Sequence, residues 1–301
     1  MLFLPATSLA CKVNQQEPIL NDNLRNLLND ARRRMGQSSK PLEALPPVPG
    51  MERRFENGRC LYDGYQRGTA LKYWNLADEI WRDPVFRKAR AAASGADVDC
   101  MVEEPRLWNL FLLIKFFLRD LDSQNVIEFG VYRGASTFFM AMILKEYYPS
   151  ARIYALDTFT GVLASNAADA TPAKDFTTMD FAKVDLAHIQ ATARSLGLTN
   201  IEWVKGLIED TADGAYKSAG SFGLAHIDVV LHEPCAYAQN TVWDYLAPGG
   251  YLVHDDATEP NWPGATQAVE ELIRARDVYM EQIWPHVVFR AHGDRFAARA
   301  T

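Results

Sequence analysis

The chain has 301 residues, ample for a buried core, and carries 31 Lys plus Arg against 38 Asp plus Glu, a formal net charge of −7. The acidic balance argues against a protein that coats nucleic-acid phosphates. With 48% hydrophobic and 23% charged residues, neither a disordered tail nor a collagen-like chain is in question.

The N-terminus, MLFLPATSLAC, lacks the basic segment and the long apolar run of a secretion signal. Asn21 to Arg34 reads as a polar helix, KPLEALPPVPG as a proline-rich linker, and a helical pattern resumes near Thr69 with Trp74, Ile80, Trp81 and Val85 or Phe86. Residues 1–102 are therefore expected to be an N-terminal helical extension, and 103–301 the main domain. Leu107 to Leu118 (LWNLFLLIKFFL) is strongly apolar, but falls short of the ~20 residues a spanning helix needs, and Lys115 interrupts it. It reads as a buried helix, with no membrane span. Cys11, Cys60, Cys100 and Cys235 have no zinc-type spacing and suit a reducing, cytoplasmic compartment.

From Asn125 onward, β-rich runs alternate with helical segments: NVIEF, Ser136 to Tyr148, RIYAL, Met179 to Leu196, IEWVK, LAHIDVVL, Val242 to Leu246 and GYLVH. This alternation predicts an α/β fold with a doubly wound, Rossmann-like parallel sheet covered on both faces. In such sheets ligands sit beyond the carboxyl ends of the strands, near the point where strand order reverses.

The residues just after each strand are therefore the candidates for chemistry. EFGVYRGAS, from Glu128 to Ser136, is a glycine turn leading into a helix. Gly130 and Gly134 allow close backbone approach to a ligand at a helix N-terminus, and close helix–strand packing explains them equally well. The dinucleotide pattern GxGxxG is absent, because Val131 and Tyr132 stand where its second glycine belongs. Asp157, followed by Thr158, is placed to accept from ribose hydroxyls or to cap the next loop. Gly206, Leu207 and Ile208 follow the third strand, where the two apolar side chains suit an adenine ring.

Asp228 follows the fourth strand, and Asp255 with Asp256 the fifth. Neighbouring strands are about 4.8 Å apart, so the three acids can share one site, where a hard divalent cation such as Mg²⁺ would resolve their repulsion. The alternative is one Asp that caps the following helix and another paired with a surface arginine. His232 and His254 are candidate bases or hydrogen-bonded structural residues.

Taken together, EFGVYRGAS, LDTFTG, KGLIEDT, HID, LAPGGYLVHDDA and GATQAVEEL resemble the macrocin O-methyltransferase family over roughly Arg106 to Ile273. The resemblance implies a class I methyltransferase sheet, S-adenosylmethionine and a divalent metal. It assigns Glu128, Gly130 and Ser136 to the methionine side of the cofactor, Asp157 to its ribose, and Gly206 to Ile208 to its adenine. Asp228, Asp255 and Asp256 match the metal-ligand positions. Val230 stands where the family carries a second acid, and His232 where it carries an aromatic, both beside the acceptor site.

The expected reaction moves a methyl group from S-adenosylmethionine to a hydroxyl of a sugar, glycoside or other vicinal diol, with Asp228 as proton acceptor and His254 as a second candidate base. The alternative is an inactive S-adenosylmethionine-binding subunit of the same fold. No nucleic-acid partner is expected, and a homo-oligomer is left open. Val162 to Thr178 reads as a loop over the cofactor.

Overall fold

The computed structural model describes residues 80–95, 101–162, 167–170, 184–257, 261–276 and 278–291, with the short pieces 53–56, 59–62, 181 and 259. The polar helix and proline-rich linker expected before residue 50, and most of the Val162–Thr178 loop, lie outside the described residues.

A small antiparallel pair, β1 (Arg53–Glu56) and β2 (Arg59–Tyr62), precedes helix α1 (Pro84–Ala92). Asp83 starts α1 by accepting the N–H groups of Val85 and Phe86 at 2.8 and 3.2 Å, with Pro84 at the first turn. The apolar run becomes α2 (Glu104–Leu112), which continues as a wider π-turn over Leu113–Phe117. Its Lys115 is held by Asp83 at 2.8 Å and lies over the Phe116 ring at 4.7 Å. A buried helix can therefore carry one cation without leaving it unpaired.

The α/β core then follows: β3 (Val126–Phe129), α3 (Ala135–Tyr147), β4 (Ile153–Asp157), α4 (Leu186–Ser195), β5 (Ile201–Lys205), α5 (Ile208–Ala219), β6 (Phe222–Ile227), α6 (His232–Val242), β7 (Leu246–His254) and α7 (Pro263–Ala275). The chain closes with β8 (Tyr279–Gln282) and β9 (Val287–Arg290). One sheet has the order β5-β4-β3-β6-β7-β9-β8; its β3 to β7 strands pair in parallel, and β9 runs antiparallel between β7 and β8. Strand order reverses between β3 and β6, which places the switch point beside Gly130 and Asp228.

Residues of alternate parity face opposite sides, as the two-residue period of a strand requires. Val126, Ile153, Ala155, Leu224, Tyr251, Val253 and Val288 pack with α1, α2, α3 and α4. Ile127, Phe129, Leu156, Ala225, Ile227, Leu252 and Phe289 pack with α5, α6 and α7. The sheet is thus doubly wound, as the alternation of β-rich and helical runs implies.

Several elements differ from the sequence expectation: the extension expected to be helical carries the β1–β2 pair, the helix expected from Met179 begins at Leu186, and the strand expected as GYLVH begins at Leu246. β6 ends at Ile227, so Asp228 to Leu231 leave the sheet. The helix expected at Val242 to Leu246 is instead His232–Val242, followed by a short 3₁₀ turn over Trp243–Tyr245. Its buried stripe, Cys235, Ala238, Gln239 and Val242, has helical spacing but small or polar side chains that give a weak apolar signal.

Gly130 has φ +91°, and a Cβ placed on it would overlap the Asp228 carbonyl oxygen. Close strand-end packing therefore demands glycine there irrespective of any ligand. Gly130→Ala is expected to destabilise the fold by about 1–3 kcal/mol, read as a lower urea midpoint. An unchanged midpoint would show that this turn relaxes freely.

Candidate active site

β6 and β7 are register neighbours, with Ile227 opposite His254, so the segments leaving them lie side by side. Asp228, Asp255 and Asp256 each offer an oxygen, and these atoms lie within 4.8 Å of one another. Their electrostatics diverge. Burial, together with the nearby Asp255 carboxylate, raises Asp228 well above the usual carboxylate range. The same two causes push Asp256 up to about 7. Burial would raise Asp255 as well, but His226, His286 and the Arg106 guanidinium outweigh it and hold Asp255 well below that range.

Arg106, on α2, is buried, pairs with Asp255 Oδ2, reaches Asp256 Oδ1 at 3.7 Å and holds Glu259 Oε1 at 2.7 Å. One acid does pair with an arginine, but with a buried one from α2 and not with the surface arginine of the alternative reading. His286, at the start of β9, brings Nε2 to 2.9 Å from Asp255 Oδ1, and its Nδ1 contacts Asn109 Nδ2 at 2.9 Å. His226, on β6, brings Nδ1 to 3.0 Å from Glu128 Oε1. Burial disfavours its charge, yet Asp255 and Glu128 push it up to about 10.

Arg106, His226 and His286 were not singled out by the sequence argument. For His226 a signal existed: it stands two residues before Asp228 in HID and shares its strand face. Arg106 and His286 carry no local signal, since only packing of α2 and of the antiparallel β9 brings them to Asp255.

His254, a candidate base, is not brought into this group. One residue out of phase with Asp255, it faces the α6 side, with Nδ1 3.7 Å from Cys235 Sγ and its ring against Phe289. Burial lowers its pKa to about 3, which makes it a weak proton acceptor. Below pH 6.5 the unfolded chain takes up a proton that the folded chain refuses, so this residue costs stability progressively as pH falls toward about 3. His254→Gln should flatten the loss of stability between pH 6.5 and 4 in urea titrations. A slope equal to wild type would contradict the buried neutral imidazole. His232, the other candidate, is tied to Glu271 at 2.9 Å through Nε2, and its backbone N–H donates to Asp169 Oδ1 at 2.7 Å.

On the other side of the switch point, Asp157 Oδ2 accepts the N–H groups of Val131 and Tyr132 at 2.7 and 2.9 Å, and Oδ1 accepts that of Phe159 at 2.7 Å. The carboxylate thus holds the glycine turn against β4. Thr158 donates to the Gly161 carbonyl at 3.1 Å. Asp157 pairs in register with Lys205, so Gly206 and Leu207 stand at the adjacent strand end, where Leu207 is 44% exposed. Ile208 and Ser136 are buried in the first turns of α5 and α3. Glu128 is fully buried, with one oxygen accepting from Thr137 Oγ1 and the other facing His226, so it braces the start of α3 from within. A groove lined by Phe159, Val184, Leu186, Gln190 and Lys205 opens beside these ends of β4 and β5.

The donor chemistry of the two halves differs accordingly. Convergent carboxylate oxygens that repel one another fit a hard divalent cation. An uncovered apolar side chain beside a strand-end carboxylate fits a nucleoside. No helix among the described residues is long and apolar enough to cross a membrane.

Comparisons with known proteins agree with this architecture. A curated relative from Streptomyces olivaceus, 8-demethyl-8-(2,3-dimethoxy-alpha-L-rhamnosyl)-tetracenomycin-C 4'-O-methyltransferase, is 27% identical over 162 residues, 52% of this chain. The match spans 61% of that protein's length. Among solved structures, the O-methyltransferase NovP superposes with a TM-score of 0.56 at 20% identity, covering 72% of this chain and 95% of NovP. CalS11, a calicheamicin methyltransferase, superposes with a TM-score of 0.53 at 19% identity, covering 74% of this chain and 87% of CalS11. These likenesses establish a methyltransferase-type fold. The model of the macrocin-O-methyltransferase (TylF) family matches residues 67–288, most of the chain, including β3 to β8 and the first two residues of β9, and the chain belongs to that family.

Proposed function

We propose that the protein transfers a methyl group from S-adenosylmethionine to a hydroxyl of a sugar, glycoside or other vicinal diol, with a divalent cation, Mg²⁺ in the first instance. The observation that carries this reading is the convergence of Asp228, Asp255 and Asp256 beyond β6 and β7, next to the glycine turn of β3. The relative from Streptomyces olivaceus, which by its name methylates a rhamnosyl-bearing compound, supports the acceptor class.

When bound, S-adenosylmethionine supplies an electrophilic methyl on a sulfonium, and a divalent cation supplies Lewis acidity toward acceptor oxygens. Gly130 and Ser136 would line the methionine side, with Glu128 bracing that turn through Thr137. Asp157 and Thr158 would meet the ribose, and Gly206, Leu207 and Ile208 the adenine. Asp228, Asp255 and Asp256 would hold the cation. Asp228, half-buried and raised in basicity, is the group of this set suited to take the proton of the attacking hydroxyl. His254 is left out of the proton path because it faces the other side of the sheet.

Calorimetric titration with S-adenosylmethionine, with and without Mg²⁺ and with NADH as control, tests the reading. Saturable binding of S-adenosylmethionine but not of NADH is expected, followed by methyl transfer in a screen of glycosides and diols. Absence of binding under every condition would overturn it.

A further inference from the structure

The geometry points to a second metal site, distinct in ligand chemistry from the carboxylate triad: His226 Nε2, His286 Nε2 and Asp255 form a buried two-histidine, one-carboxylate centre for a borderline transition-metal dication of the Zn²⁺ or Co²⁺ class. The three ligand atoms lie within 4.8 Å of one another. Asp255 Oδ1 is 2.9 Å from His286 Nε2 and 3.7 Å from His226 Nε2. An ion about 2.0–2.2 Å from each ligand needs separations of this order, so little movement is required.

Two further observations point to a ligand. His226 is fully buried, yet its Nε2 makes no hydrogen bond, because the Asp255 oxygen it faces is out of range. A buried polar atom left unpaired is costly unless something meets it. In addition, both rings are held by their far nitrogens, Nδ1 of His226 by Glu128 and Nδ1 of His286 by the Asn109 side-chain amide. This is how metal-ligating histidines are oriented: an outer partner fixes Nδ1 and leaves Nε2 free for the ion. Asn109 turns Nδ2 toward His286 Nδ1, and metal binding requires its amide to rotate so that Oδ1 accepts from the Nδ1 proton.

Charge favours occupancy. Glu128, Asp228, Asp255, Asp256 and Glu259 gather around these groups, and Arg106 offsets one of their charges. Imidazole nitrogens select borderline transition ions, whereas an all-oxygen triad selects Mg²⁺ or Mn²⁺, so the two sites are separable although both use Asp255.

The test is titration of tag-free, metal-stripped, full-length protein with Co²⁺ in excess Mg²⁺. One equivalent of Co²⁺ should bind with the intense visible band of a low-coordinate imidazole complex, unaffected by Mg²⁺. His226→Gln and His286→Asn should each abolish that band, Asn109→Ala should weaken binding about 10–100-fold, and Asp228→Asn should leave it intact. Wild-type protein that takes up no Co²⁺, or takes it with a weak octahedral spectrum that Mg²⁺ displaces, would overturn the proposal. So would an unchanged band in both histidine variants, with folding checked by circular dichroism. The wild-type competition decides the matter even where a variant does not fold. Methyl transfer assayed with Mg²⁺ on the same preparation succeeds or fails separately, so this result does not stand or fall with the proposed reaction.

Discussion

Asp228→Asn is expected to lower methyl transfer by about 10²–10⁴-fold while leaving the affinity for S-adenosylmethionine nearly unchanged. The substitution keeps the shape of the side chain and removes both its charge and its capacity to accept a proton. Its effect on stability should have the opposite sign. Burial and the Asp255 carboxylate raise Asp228 well above the ordinary range, so its ionised form is strained in the folded state at neutral pH. An acid raised on folding contributes stability below its unfolded pKa and loses it as pH rises through the folded value. Replacing it with a neutral amide should therefore leave the cation-free protein as stable as wild type or more so above pH 4. Urea denaturation beside a steady-state assay reads both quantities. An Asn variant that turns over at the wild-type rate would remove Asp228 from the reaction.

Asp255→Ala should behave in the reverse way on stability. Asp255 is 4% exposed and is the acid of the three held low, because Arg106, His286 and His226 surround it. Removing it leaves the buried Arg106 guanidinium with Glu259 at 2.7 Å and Asp256 at 3.7 Å, and leaves His286 Nε2 without its acceptor. Breaking a buried pair from one side costs about 3–5 kcal/mol. Relief of repulsion with Asp228 and Asp256 returns part of that, so the lower end is expected. Loss of cation-dependent turnover should accompany it. A stability equal to wild type would mean that the Arg106 contact contributes nothing, and the contrast with Asp228→Asn would disappear.

These opposite signs were not legible in the sequence, where Asp228, Asp255 and Asp256 read as equivalent acids. Strand positions were legible, because short β-branched and aromatic runs at NVIEF, RIYAL, IEWVK and GYLVH are bounded by turn residues and separated by helical lengths. The neighbouring placement of Asp228 and the Asp255–Asp256 pair followed from that, since doubly wound topology brings the ends of β6 and β7 together. The helix His232–Val242 escaped because its buried stripe relies on cysteine, alanine and glutamine. The β8–β9 pair escaped because its short runs lie after the last clear βαβ unit, and with it went His286.

What the sequence determined by itself was the succession of strands and helices, the glycine turn, and the acids at strand ends, all of which depend on periodicities and turn chemistry local to a few residues. What the tertiary structure decided was which face each side chain takes and who meets it there. His254 and Asp255 are adjacent in the chain yet lie on opposite sides of the sheet, because the strand period is two residues. Arg106 reaches Asp255 across 149 positions, because α2 buries its apolar side against that same face. Pairings of that range depend on how helices and strands pack over the whole domain, and no local pattern of residues encodes them.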